Sequence, residues 1–172
     1  PINSDLFSED NFVNKLYLGS NGVLYAPSFF GVSMSKDSGN TWQATNNEAF
    51  AAKGALQVVS LDNNIVTQFS YRLRGFPSLG VSTDEAESWH ASYPLRAGSA
   101  IQKLKNVAFC IGNGGLLYYT PNRGRTWFRN TTDTLGILVD LAFTEESYYA
   151  MNYNGIYLSK DQGVTWKKTK CE

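Results

Sequence analysis

Residues 35–42 read SKDSGNTW, and residues 159–166 read SKDQGVTW. Two further octapeptides share the frame: residues 82–89 read STDEAESW and residues 120–127 read TPNRGRTW. The common pattern is Ser/Thr-x-Asp/Asn-x-Gly-x-Thr/Ser-Trp, with Ala86 replacing Gly in the second copy and Asn122 replacing Asp in the third. The third positions, Asp37, Asp84, Asn122 and Asp161, are spaced 84−37=47, 122−84=38 and 161−122=39 residues apart. A period near 40 is the signature of a repeat array whose units stack against one another.

Aligning on the octapeptides brings out four strand-like runs per unit. In the last unit these are 137–143, 147–153, 155–159 and 165–169, with Asn154-Gly155 as a hairpin turn between the second and third, since both residues tolerate positive φ. The third unit reads 100–104, 106–111, 116–120 and 126–130. The second reads 55–61, 64–70, 79–83 and 88–93, and the first reads 14–19, 23–28, 32–35 and 41–45. No segment sustains a 3.6-residue period, so almost no helix is expected. Four short antiparallel strands repeated four times predict an all-β chain, a β-propeller of four-stranded blades. The blades fall at about 12–47, 54–95, 99–132 and 136–170 within a single domain, residues 1–172. No strand is evidently borrowed to lock a ring, so the alternative is part or half of a larger propeller. An open blade edge would then be a place for self-association.

Each octapeptide reads as a turn clamp between third and fourth strands. Its Asp or Asn accepts backbone hydrogen bonds, its Gly supplies a left-handed conformation, and its Trp opens the outer strand with a large ring to bury. The clamp residues are Asp37, Gly39 and Trp42; Asp84 and Trp89; Asn122, Gly124 and Trp127; and Asp161, Gly163 and Trp166. The second and third copies, lacking Gly and Asp respectively, are expected to be less regular turns. These four copies resemble the Asp-box, or BNR, repeat of sialidases, sortilin-type receptors, xyloglucan-degrading propellers and photosystem II assembly propellers. The resemblance spans most of the chain. It implies three functional classes: a protein- or glycan-binding module, a glycoside hydrolase or part of one, or an assembly scaffold. It also implies a secreted, periplasmic or cell-surface location.

The residues favour the non-catalytic class. A sialidase would carry Arg-Ile/Leu-Pro before its first box and an arginine triad, yet the first arginine here is Arg72. A carboxylate-pair glycosidase needs two acids facing one cleft. Asp140, inside an inner strand and able to point to the central channel, is the weak catalytic candidate; Glu48, Asp62, Asp133, Glu145 and Glu146 are the other acids considered. His90, the single histidine, follows Trp89 with no visible partner. No spacing suggests a metal site or a cofactor. Asn130-Thr-Thr132 fits a glycosylation sequon. Cys110 and Cys171 are either a buried thiol and a tail thiol or one disulfide.

The resemblance implies that a ligand meets the face opposite the octapeptides. The second unit projects an unusually long loop there, with Tyr71, Arg72, Arg74 and Phe76, and the blade connections add Tyr93 and Arg96. Exposed aromatic and Arg side chains suit a protein or glycan partner. Fifteen basic and fifteen acidic residues cancel, which argues against nucleic acid as a partner. No run of 18 apolar residues predicts a membrane span.

Overall fold

A computed structural model of the chain describes residues 13, 15–29, 31–45, 53–71, 78–105, 107–112, 114–130 and 135–170. Among them no helix forms, and every regular element is a strand. The strands are short runs of β-branched and aromatic residues broken by Gly, Asn and Asp turns, as the repeat dictates.

The first blade is β1 (Tyr17–Leu18), β2 (Leu24–Ser28), β3 (Gly31–Ser35) and β4 (Gln43–Ala44), hydrogen-bonded in that order. The second begins with β5 (Lys53–Leu61), β6 (Asn64–Tyr71) and β7 (Ser78–Ser82). Then comes β8 (His90–Leu104), a 15-residue strand that serves two blades. Its first part pairs with β7 through Leu79↔Ser92 and Gly80↔Ala91, and its second part pairs with β9 through Ala100↔Ile111 and Ile101↔Cys110. The third blade is completed by β9 (Val107–Gly112), β10 (Leu117–Thr120) and β11 (Phe128–Arg129). The fourth is β12 (Leu138–Phe143), β13 (Tyr148–Asn152), β14 (Gly155–Ser159) and β15 (Lys167–Lys168). All pairings are antiparallel between neighbours, the layout of propeller blades.

Three details depart from the sequence reading. Each Trp is the last residue of its turn rather than the first of the outer strand, which starts one residue later at Gln43, His90, Phe128 or Lys167. The outer strands β4, β11 and β15 are only two residues long. The second and third units are also not separated by a turn: β8 runs through, with a register shift between Ala97 and Ala100 where it changes partner.

The core lies between blades. The first and second share Tyr25, Val32, Met34, Val58, Phe69 and Trp89. The second and third share Leu61, Val66, Leu79, Val81, Cys110 and Trp127. The third and fourth share Phe109, Ile111, Leu117, Leu141, Tyr148 and Ala150. Aromatic edges reinforce these seams: Phe69 meets Trp89 at 5.5 Å, and Phe109 meets Tyr148 at 5.3 Å, both edge to face. Among the described residues no such cluster joins the fourth blade to the first. Among the described residues, three such seams join the four blades. Cys110 is buried in the second seam, packing among its apolar side chains.

Candidate functional site

The four octapeptides form one hydrogen-bond pattern. Asp37 accepts from the hydroxyl of Ser35 (2.8 Å), the N–H of Thr41 (2.8 Å) and the hydroxyl of Thr41 (2.6 Å). The Ser35 hydroxyl in turn accepts from the N–H of Gly39 at 2.9 Å. Asp161 repeats this with Ser159 and Thr165, and Asp84 with Ser82 and Ser88. The substituted copies are no less regular than the complete ones, contrary to expectation. In the third, Asn122 Oδ1 accepts from the Thr120 hydroxyl and the Thr126 N–H, while its amide donates to the Thr126 hydroxyl at 2.7 Å. An amide can donate where a carboxylate can only accept, so the hydroxyl of Thr126 swaps its role and the geometry survives. In the second, Ala86 takes the place of Gly at φ 73°.

These bonds hold the carboxylates of the turns in their ionised form. Hydrogen bonds from Thr41, side chain first and then N–H, lower Asp37 to about 2. Thr165 does the same for Asp161, also to about 2. At Asp84 burial pushes upward, but Ser88 and Ser82 outweigh it and the net direction is down. A carboxyl so consumed by its own turn is a poor acid or base near neutral pH. Neighbouring turns are further laced together. Lys36 of the first pairs with Glu85 (3.1 Å) and Glu87 (3.6 Å) of the second, and Arg123 of the third pairs with Asp62 (2.8 Å) in the β5–β6 turn. Asn64 also donates to the Arg123 carbonyl. The octapeptides and the first-to-second strand turns therefore share one face.

Of the expected ligand residues, Arg72, Arg74 and Phe76 lie outside the described residues. Tyr71 ends β6 opposite Lys53, and Arg96 is the partner of Ser78 in β8, three residues after Tyr93. The backbone thus brings the end of β6, the start of β7 and the middle of β8 to one side of the sheet. Asp140 is exposed at a bulge in β12, across from Met151, and accepts from the N–H of Leu141 at 2.8 Å. It lies on the sheet face turned away from the third blade. His90 is exposed at the start of β8. Among the described residues no three His, Cys, Asp or Glu side chains cluster to hold a metal. Asn130, the sequon residue, donates its amide to the Gly163 carbonyl at 2.8 Å.

The feature that sequence reading missed lies where the inner strands meet. A cavity of about 240 Å³ opens between β1, β5 and β8, lined by Lys15, Tyr17, Gln57, Ser60, Gln102 and Lys103. Lys103 donates to the Ser60 carbonyl (2.9 Å), Gln57 accepts from the N–H of Ile101 (2.9 Å), and the Lys15 ammonium stands 5.3 Å from the Tyr17 ring centre. Burial pushes the Tyr17 and Tyr25 hydroxyls above the ordinary phenol range, so both stay protonated donors. Two ammonium groups and two amide side chains share the lining with Leu18, Val58, Val59 and Ile101, so the pocket is cationic and as apolar as it is polar. The signal was present in the chain as Gln57 and Gln102-Lys103, polar residues in otherwise apolar inner strands. Two other cavities, of about 250 and 460 Å³, lie between the third and fourth blades.

No protein-family model matches the chain, and no curated protein matches it. Solved structures do. YCF48 from Cyanidioschyzon merolae superposes with a TM-score of 0.65 at 15% identity, over 95% of this chain and 57% of that one. YCF48 bound to a D1 peptide gives 0.64 at 18%, over 92% and 55%. An ancestral GH74 enzyme gives 0.67 at 18%, over 91% and 24%. The chain therefore spans between a quarter and just over half the length of these neighbours. Likeness at such identities is a likeness of fold, and the fold it shows is the β-propeller, with four blades in this chain.

Proposed function

We propose that the chain is a non-catalytic propeller module of the Asp-box type that binds a protein or glycan partner, a peptide before a glycan. The observation that carries this reading is the fate of the repeated polar residues. Asp37, Asp84, Asn122 and Asp161 all spend their hydrogen bonds on their own turns, so the motif that recurs builds the scaffold. Recognition then falls to side chains that do not recur. The proposed contacts are Tyr71, Arg72, Arg74 and Phe76 of the β6–β7 loop with Tyr93 and Arg96 of β8. The cationic pocket at Lys15 and Lys103 offers a second anchor for acidic groups. A protein of the same fold has been solved with a peptide bound, which supports a peptide as ligand.

A library of acidic, aromatic-containing peptides, read by fluorescence anisotropy, tests the proposal. Binding should weaken at least about tenfold in Arg72→Ala/Arg74→Ala/Phe76→Ala, roughly 1.4 kcal/mol, with an unchanged melting curve. Equal binding by wild type and variant would remove the assignment. A second reading rests on the exposed Asp140 carboxylate at the β12 bulge: a glycoside hydrolase or part of one. It requires turnover on xyloglucan or sialosides that Asp140→Asn abolishes.

A further inference from the structure

We propose that the cleft between the third and fourth blades is a binding site for a proline-containing segment of a partner protein, held extended against aromatic rings. The cleft, about 460 Å³, is lined by Phe109, Tyr119 and Pro121 of the third blade and by Tyr148, Gln162 and Val164 of the fourth. It lies beside the fourth octapeptide. It shares no residue with the loop contacts or the lysine pocket proposed above, so neither reading rests on the other.

The second seam is closed at the equivalent place. Val66 and Val81 pair across β6 and β7, and the turn glycine of the next blade rests on them: a Cβ on Gly124 would meet Val66 at 2.5 Å and Val81 at 3.3 Å. The equivalent positions of the third blade hold two larger side chains, Phe109 and Tyr119, paired across β9 and β10. Gly163, the turn glycine opposite them, stands off. The nearest atoms to a Cβ there belong to Asn130, Trp166 and Tyr148, at 3.5, 3.5 and 3.6 Å. The tryptophans differ in the same way. Trp127 is 6% exposed in the second seam, whereas Trp166 is half-buried and donates its indole to the Gly163 carbonyl of its own turn at 3.0 Å. Asn130 bridges the third seam to that same carbonyl, so the seam is tied across but not filled.

Hydrogen bonding decides which ligand fits. The acceptors at the cleft are occupied. The Gly163 carbonyl takes both the Asn130 amide and the Trp166 indole, which fills its two lone pairs. Asp161 takes three bonds from its own turn. A donor is left over. Tyr148 is 8% exposed, its ring is held edge-on by Phe109 and Phe143, and its hydroxyl has no partner among the described residues. Burial pushes that hydroxyl above the ordinary phenol range, so it stays protonated. A matching ligand presents an acceptor, brings few donors and has apolar faces to lie on the rings. A proline segment meets all three conditions: it lacks the N–H, its polyproline carbonyls point outward, and its rings pack on aromatic side chains. A sugar carries a donor on every hydroxyl and would find the acceptors already taken. The lining holds one carboxylate and one guanidinium residue, Asp161 and Arg129, so its charges balance and match a neutral segment. Beyond the rim, Phe128 is 48% exposed and 5.8 Å from the Tyr119 ring, which extends the apolar surface for a second proline.

Titrating the isotope-labelled chain with N-acetyl-hexaproline amide, followed by amide chemical shifts, tests this. The shifts should saturate and concentrate on Phe109, Tyr119, Tyr148 and Gly163. Tyr148→Phe should weaken binding about three- to tenfold, the range of one net hydrogen bond. It should not lower the melting temperature, because no bond inside the protein is lost. Val164→Trp, at a rim position that is 65% exposed, should plug the cleft and abolish the shifts. Arg72→Ala/Arg74→Ala/Phe76→Ala should bind hexaproline like wild type, which separates this site from the loop. The absence of saturable shifts at the cleft overturns the proposal, and so does a Tyr148→Phe variant that binds as wild type does. Cellohexaose saturating the same residues more tightly than hexaproline overturns the choice of occupant.

Discussion

Leu79 and Ile156 hold the same place in their repeats, five residues before the turn carboxylate, and live in opposite surroundings. Leu79 is 0% exposed in the seam between the second and third blades, and Ile156 is 45% exposed on the outward face of the fourth. Both sit in a third strand, both face the next-blade side, and both are followed by the same turn. The difference shows that local sequence sets strand, register and facing, whereas burial is set by whether another blade follows.

The largest way to sharpen that contrast is truncation at the two sites. Leu79→Ala should cost about 2–5 kcal/mol, as core truncations do, and Ile156→Ala should stay within about 0.5 kcal/mol. Urea unfolding measures both, and equal costs would mean that the fourth face is covered in solution. Next is the turn itself. Asp161→Ala removes three acceptor contacts and should lower the melting temperature by about 3–6 °C. Asp161→Asn copies the third turn and should lower it by less than about 2 °C.

A smaller difference separates two tryptophans. Trp89 donates its indole N–H to Thr45, while Trp127 buries its own with no partner among the described residues. Trp89→Phe should therefore be more destabilising than Trp127→Phe by about 1 kcal/mol. The smallest effect at neutral pH is electrostatic. Asp37 and Asp161, at about 2, sit below the ordinary carboxylate value of 3.8. Each contributes stability that is present above about pH 4 and is lost as pH falls toward 2. Asp84 acts in the same direction, and Asn122 does not titrate. Asp37→Asn/Asp161→Asn should leave the melting temperature near pH 7 almost unchanged and flatten its decline between pH 4 and 2.

Much of this was legible in the chain. The octapeptide period counted the four blades, and Asn154-Gly155 marked the β13–β14 hairpin, where Gly155 adopts φ 139°. The regularity of the second and third turns was not legible, because residue identity suggested defects that hydrogen-bond roles repaired. The unbroken β8 was hidden for a different reason: a crossing from one blade to the next can be made in extended backbone, which needs no Gly or Pro to signal it. The seam-bridging role of Asn130 was also hidden, although the recurrence of a polar residue three after each Trp was there to be read. Of the candidate site, sequence named loop residues that the structure does not describe and passed over the pocket at Lys15 and Lys103, whose parts lie about 90 residues apart and meet only through the fold.

β8 carries one more consequence. A strand shared by two units makes β5 to β11 one seven-stranded sheet, so the second and third blades cannot fray one at a time without breaking a common ladder. Repeat arrays tend to lose order from their ends, unit by unit. Here the two middle units should open as a single cooperative block, and their amide protons should exchange together and last.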